Sequence, residues 1–201
     1  VLNQVHGICE NRQNQIEAHF VVERVREILS APDAPSIGIV SFNLTQKDLI
    51  EEALDAAAEE DPVFRANLLE ARVRESRGAF EGLFVKNLEN VQGDERDVII
   101  LSTTYGPNAE GKFYRRFGPL GTAGGERRLN VIITRARLRV EVVTSIPSSV
   151  YRADANISPP AGKRPNGAWF LMRYLRQAEL LEELYAKVGE QAPGELLESA
   201  G

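Results

Sequence analysis

Hydrophobic positions along the chain switch between a helical period and short continuous runs. Between Asn14 and Ser30 the apolar residues Ile16, Phe20, Val25 and Ile28 or Leu29 recur at helical spacing, which predicts an amphipathic helix resting one stripe on a core. A proline-rich break over 31–35 ends it, and Ile37–Phe42 reads as a buried strand. Thr45 can cap a helix running through Ala58 with Leu49, Ile50, Ala53 and Leu54 turned inward. Asp61-Pro62 opens another helix toward Arg72, a capping residue followed by proline at the first helical position. Two strand-like runs follow, Leu83–Lys86 and Asp97–Thr103, the second continuously apolar at Val98–Leu101 as in a strand covered on both faces. The turn between them contains Gln92-Gly93-Asp94-Glu95, where glycine permits a positive φ or the close approach of a ligand.

From Gly125 to Ser145 a basic segment of helical period runs into an alternating apolar strand. Leu129, Ile132, Ile133 and Ala136 form one predicted stripe, with Arg128 and Arg135 seven residues apart along its rim. A helix anchored by such a stripe can aim a five-donor guanidinium at a phosphate. Read alone, Arg127, Arg128, Arg135, Arg137 and Arg139 are also compatible with a solvated face. The cadence of strands and helices predicts an α/β fold with a mostly parallel sheet flanked by helices. Residues 1–146 form that domain, 147–167 a linker, 168–188 a C-terminal helix and 189–201 a tail. The helix offers Phe170, Leu171, Tyr174, Leu175, Leu181, Leu184 and Tyr185 for packing.

A length of 201 residues with 43% hydrophobic composition suits one domain with a sizeable core. Val1–Cys9, a short strand-like piece with no start signal ahead of it, reads as the severed beginning of a longer chain. The net charge of −5 argues against indiscriminate nucleic-acid binding. Yet residues 112–176 hold 13 Lys and Arg against 3 Asp and Glu, a local surplus that can draw phosphates. Cys9 has no partner for a disulfide, and with His6 and His19 it makes a poor zinc site, so no metal site is expected and a reducing cytoplasm is the expected location. No apolar run approaches the length of a membrane span.

Gly106–Lys112 fits G-x-x-x-x-G-K after a strand, but Phe113 stands where the magnesium-binding hydroxyl belongs and no convincing helix follows. The stronger signal is a pair. V-Q-G-D-E-R-D-V-I-I-L-S, from Val91, and R-R-L-N-V-I-I-T-R-A-R, from Arg127, resemble motifs V and VI of superfamily 1 helicases, most closely the 5′-to-3′ branch. I-G-I-V-S-F-N-L-T-Q, Ile37–Gln46, is similar to motif IV, and N-Q-I-E-A, Asn14–Ala18, to the N-x-x-E-A segment that opens the second RecA-like domain of that family.

The resemblance implies a three-layer RecA-like, P-loop NTPase-like domain acting in an ATP-dependent helicase and inactive by itself. It makes Arg135 the arginine finger, sets Gln92, Gly93 and Arg128 at the phosphates, and puts Glu95 where the family's motif V acid meets the ribose. ATP with Mg2+ would be held mainly by a preceding RecA-like domain of the same polypeptide. Single-stranded nucleic acid, DNA in preference to RNA, would meet Ser41, Phe42, Asn43 and Asn87. Phe42 replaces a proline of the family pattern, Asn43 an aromatic and Asn87 a hydroxyl, so the contacting residue stays open. Arg115 and Arg116, in the variable loop between the motifs, either touch nucleic acid or are solvated. In large helicases of this type a nuclease-like domain often follows. The rival reading is a non-catalytic RecA-like module that binds nucleic acid or protein; a phosphate-binding α/β enzyme with its own active site is weaker, since no nucleophile, acid–base pair or metal cluster is visible.

Overall fold

The computed structural model of the chain describes residues 1–76, 78–91, 93–158 and 164–191. In chain order its elements are β1 (Leu2–Gln4), α1 (Gln15–Leu29), β2 (Ile37–Ser41), α2 (Leu44–Glu60), α3 (Pro62–Arg72), a small hairpin of β3 (Glu75–Ser76) and β4 (Ala79–Phe80), β5 (Phe84–Asn87), β6 (Arg96–Ser102), α4 (Gly125–Ile133), β7 (Ala136–Thr144), α5 (Ser148–Asp154) and α6 (Gly167–Gln191). β1, β7, β6, β2 and β5 lie side by side in that order, every pair parallel. Helices cover both faces, which is the expected three-layer α/β, RecA-like arrangement.

β6 shows why the sheet is sandwiched. Val98, Ile99, Ile100 and Leu101 are all fully buried, and the two-residue period of a strand sends them to opposite faces. Val98 and Ile100 join Val21, Val25, Ile50 and Leu68 from α1, α2 and α3. Ile99 and Leu101 join Leu129, Ile132, Tyr151, Leu171 and Leu175 from α4, α5 and α6. Burying each such side chain contributes roughly 1.5–3 kcal/mol before chain entropy is counted.

Capping sets the helix starts. Asp61 Oδ1 accepts from the backbone N–H groups of Val63 (2.9 Å) and Phe64 (3.0 Å) at the head of α3, as its sequence predicts. α2 is capped by Asn43, whose Oδ1 accepts from Gln46 N at 2.9 Å, so Thr45 lies within the first turn of the helix. The inward face of α1 is Glu17, Ala18, Val21, Val22, Val25, Ile28 and Leu29; Ile16, expected on that face, is half exposed. Residues 147–167, expected as a linker, contain α5, and its Tyr151 is buried against the sheet. α6 docks with its first half: Leu171, Met172 and Leu175 are buried, whereas Leu181, Leu184 and Tyr185 stay exposed. A Cβ on Gly125 would fall 2.2 Å from Leu120 O, and one on Gly167 would fall 2.4 Å from the backbone of Gly125. Only glycine lets the starts of α4 and α6 approach so closely.

Candidate functional site

The predicted site residues fall at the two ends of the parallel strands. Where the strands begin, strand register joins the two sequence motifs. Arg96 pairs with Ala136, and Arg96 N donates to Arg135 O at 3.1 Å, so Glu95 and Arg135 enter the sheet side by side. Arg135 Nη1 lies 3.4 Å from Glu95 Oε1, and Arg135 Nε donates to Val131 O at 3.1 Å. Glu95 is 54% exposed; an ion pair that long and that open to solvent is worth about 0–1 kcal/mol. The guanidinium is therefore easily released to a competing anion. Gly93 beside it has a φ of +90° with open space where a Cβ would stand, so a ligand can approach its backbone. Gln92 lies outside the described residues.

The expectation of Arg128 and Arg135 stacked on one helix is corrected. α4 ends at Ile133 with Thr134 as its C-cap, because the chain must enter β7 at Ala136 to pair with Arg96. Arg128 sits near the opposite end of α4, where its Nη1 donates to Pro119 O (3.2 Å) and Ala123 O (3.3 Å). The two arginines share no partner among the described residues.

Their neighbours are held far more firmly. Arg96 is buried; Nε and Nη2 donate to Gly82 O (3.0 and 2.7 Å), Nη1 to Glu95 O (2.7 Å), and its guanidinium stacks over Phe84 at 5.0 Å. Burial pulls it below the ordinary arginine value. This clamp fixes the backbone of Glu95. Arg137 donates to Glu81 Oε1 (2.6 Å), Asp97 Oδ1 (3.0 Å) and Ser36 Oγ (3.0 Å). Its hydrogen bond holds the Glu81 carboxyl below the usual range. For Asp97 burial acts upward, but hydrogen bonds from Ser36 and Arg137 prevail and lower it. Arg96 was not among the residues that the sequence singled out, although an arginine two residues ahead of the apolar run Val98–Leu101 was the visible signal.

At the far end, where the strands finish, Ser41 pairs with both Asn87 and Ser102. Ser41 is fully buried and its Oγ donates to Asn43 O at 2.8 Å. Phe42 is also fully buried, against Tyr105 at 5.9 Å between centroids. Asn43 is partly exposed. Asn87 is almost buried, and its Oδ1 has no hydrogen-bond partner. An orphaned buried acceptor costs about 1–3 kcal/mol and so favours a ligand or water that donates to it. The fold thus brings all four predicted residues to one edge but encloses the side chains of Ser41 and Phe42.

Behind that edge lies a buried polar centre whose role was not read from the sequence, although Asn14, Glu17 and Gln46 stand in the two segments quoted for the resemblance. Glu17 Oε2 accepts from Ser102 Oγ and Thr104 N (both 2.7 Å), and Oε1 from Ser145 N (2.8 Å) and Thr103 Oγ1 (3.3 Å). Burial pushes its carboxyl up to about 7 against those hydrogen bonds. Gln46 brackets the backbone of Asn14, accepting from its N–H (2.7 Å) and donating to its carbonyl (3.0 Å). An acid on the apolar face of α1 was the signal that could have found it. Gly106–Lys112 closes on itself through Gly111 N to Asn108 O (2.9 Å) and Asn108 N to Lys112 O (3.0 Å), and no α-helix follows before α4, so it forms no phosphate cradle.

β6, seven residues long, separates the two ends by about 20 Å at 3.3 Å per residue. A groove of about 960 Å3 runs between α4 and α6 and is lined by Arg127, Val131, Trp169 and Arg173 but by neither Arg135 nor Glu95. Among the described residues no group of three His, Cys, Asp or Glu could hold a metal ion, and no helix is long and apolar enough to cross a membrane. Cys9 is free and partly buried, and burial pushes its thiol up.

A family model described as an AAA domain matches residues 3–146. An uncharacterized ATP-dependent helicase of Mycoplasma genitalium is 44% identical over 140 residues, 69% of this chain and 12% of that protein. Its homolog in Mycoplasma pneumoniae is 36% identical over 178 residues, 88% of this chain and 14% of that protein. The chain therefore spans about an eighth of the length of these curated relatives. Among solved structures, the C-terminal domain of a possible DNA helicase from Lactobacillus plantarum is 16% identical, with a TM-score of 0.42 and 71% of each chain covered.

Proposed function

The chain belongs to the AAA domain family matched over residues 3–146 and is homologous to ATP-dependent helicases, and from that premise we propose that it is the second motor domain of a superfamily 1 helicase. The observation that carries this reading is Arg135, an arginine at a sheet edge whose Nε is tied to Val131 O while its Nη1 makes only a long ion pair to Glu95, near the unobstructed backbone of Gly93.

ATP hydrolysis needs a phosphate cradle, magnesium ligands, an oriented water and a cation that meets charge developing on the γ-phosphate. The residues here fit the last of these. Arg135 supplies the cation, Gly93 and Gln92 border the phosphates, and Glu95 turns from Arg135 to the ribose, whereas Arg128, bound at the far end of α4, stands apart from this group. They do not fit the magnesium: among the described residues the edge offers Glu95 and the Lys86-paired Asp94 but no clustered ligand set. The reading therefore assigns Mg2+ and most of the ATP to a preceding RecA-like domain of the same polypeptide. Arg135 then waits on Glu95 until the cleft closes. Single-stranded nucleic acid, DNA before RNA, crosses the opposite edge at Asn43 and Asn87, with the Ser41–Phe42 turn contributing backbone and shape. Cleft closure tilts both edges together, which couples turnover to strand movement.

The test is strand-stimulated ATP turnover by the full-length protein that carries this chain, compared with Arg135→Ala. Turnover should fall by roughly 10³–10⁵ with nucleotide binding largely kept. Turnover within about threefold of the unaltered protein would remove the arginine-finger assignment and favour a non-catalytic binding module.

A further inference from the structure

The loop that leaves β6 toward α4 is rooted in the same edge as Asn43 and Asn87. Its root is a chain of aromatic contacts: Phe42 to Tyr105 at 5.9 Å, Tyr105 to Phe117 at 5.3 Å edge-on, and Phe117 to Phe113 at 6.1 Å. Phe42 and Phe117 are buried, so the loop is fastened to the core beneath the end of β2. Two further ties hold it. Arg115 forks onto Asp154 of α5 through Nε–Oδ2 (2.8 Å) and Nη2–Oδ1 (3.1 Å), and Lys112 N donates to Asn108 Oδ1 at 2.8 Å.

Above this root Tyr114 is 46% exposed. Lys112 Nζ lies 4.9 Å and the Arg116 guanidinium 5.7 Å from its ring centroid. Neither cation forms a salt bridge among the described residues, in contrast to Arg115. Two like charges share one exposed ring with no carboxylate between them, which is repulsive until an anion arrives. Both cations stand over the ring, so a base that stacks there takes their place while the two flexible side chains swing onto the phosphates on either side of it. Stacking platforms bordered by cations are the recurrent way to hold single strands without sequence preference.

We propose that Lys112, Tyr114 and Arg116 form a single-strand contact in which a base stacks on Tyr114 while Lys112 and Arg116 hold the adjoining phosphates. The site continues the track at Asn43 and Asn87, and it rests on the reading of that edge as the nucleic-acid face. The aromatic chain through Tyr105 and Phe42 makes the platform rigid, so little ordering is lost on binding.

The experiment is fluorescence anisotropy of labelled oligo-dT, with oligo-rU in parallel, on the full-length protein at several salt concentrations. Tyr114→Ala should weaken binding about 5- to 100-fold on at least one of the two strands, the range for losing one base stack, and Tyr114→Phe should stay within about twofold. Lys112→Gln with Arg116→Gln should flatten the salt dependence by about 0.7 for each phosphate that is no longer neutralised. Tyr114 is exposed, so an unchanged melting temperature accompanies these effects. If Tyr114→Ala binds within about twofold while Asn43→Ala and Asn87→Ala bind weakly, the platform is wrong and the track stands. If none of these variants alters binding, or the unaltered protein binds neither strand, the track reading falls and the platform with it.

Discussion

The two ends of the sheet are built from the same strands yet treat their polar residues in opposite ways. At the end where the strands begin, Arg96 and Arg137 are clamped by three hydrogen bonds each, and this leaves Arg135 loose between them. At the end where they finish, a fully buried Glu17 collects donors from β6 and from the residue after β7, Ser41 and Phe42 are enclosed, and what the fold leaves unsatisfied or exposed is Asn43, the buried but unpartnered Asn87 amide oxygen and the loop carrying Tyr114. A motif residue at a strand end is therefore structural when the fold satisfies it and available for chemistry when the fold does not.

The strongest way to break this comparison is to exchange the roles of the motif arginines. Arg135→Ala should remove turnover by roughly 10³ or more while leaving stability within about 0.5 kcal/mol, since its single ion pair is long and open to solvent. Arg137→Ala should do the reverse, because Glu81 and Asp97 lose their shared cation. The network is partly solvated, so its loss should cost only about 1 kcal/mol, a fall of about 2–4 °C in a domain of this size. Equal thermal effects from the two variants, read by circular dichroism melting, would mean that clamp and finger are not distinct.

Glu17 gives the next effect, and pH reveals it. Its folded-state pKa, about 7, lies above the ordinary glutamate value of 4.5, so the folded chain binds the proton more tightly than the unfolded chain does. Its contribution to stability is fully present below the unfolded pKa and is lost as pH rises through the folded one. The melting temperature should accordingly decline between about pH 4.5 and 7, in the direction opposite to that of a salt-bridged acid. Glu17→Gln should flatten that decline. It should also lower stability by about 1–3 kcal/mol, because the backbone N–H groups of Thr104 and Ser145 each need an acceptor and an amide nitrogen is none. A pH-independent melting point for the unaltered chain would show that Glu17 keeps its proton, or its charge, throughout.

These contrasts also mark how far the sequence could be read. Asp61-Pro62 located the start of α3, and the run Val98–Leu101 predicted a strand buried on both faces, because each signal is local. Arg135 was misplaced for a physical reason. The stripe Leu129, Ile132, Ile133, Ala136 keeps helical spacing across a point where pairing of Ala136 with Arg96, a residue 40 positions away, turns the chain into a strand. Spacing cannot reveal a competitor that distant. Phe42 looked available for the same reason, since its cover is Tyr105, which arrives from the end of another strand, whereas Ser41 is taken up by the carbonyl of Asn43. α5 was hidden in a stretch rich in turn-forming residues, and the burial of Tyr151 is what holds it there.

The smallest expected effect is the sharpest test of the far edge. Ser41 and Asn87 are register partners at the ends of β2 and β5, so a strand passing over one passes over the other. Ser41 Oγ is engaged with Asn43 O inside the fold, whereas Asn87 Oδ1 is unpaired. Ser41→Ala should therefore leave single-strand affinity within about twofold and cost about 0.5–1.5 kcal/mol in stability, the net worth of one hydrogen bond. Asn87→Ala should weaken binding several-fold, in line with a lost hydrogen bond of about 1 kcal/mol, without lowering the melting temperature, because removing an orphaned buried acceptor relieves its desolvation cost. If Ser41→Ala weakened binding as much as Asn87→Ala, the turn at Ser41–Asn43 would have to open when the strand arrives. Internal satisfaction would then no longer separate structural residues from functional ones at this edge.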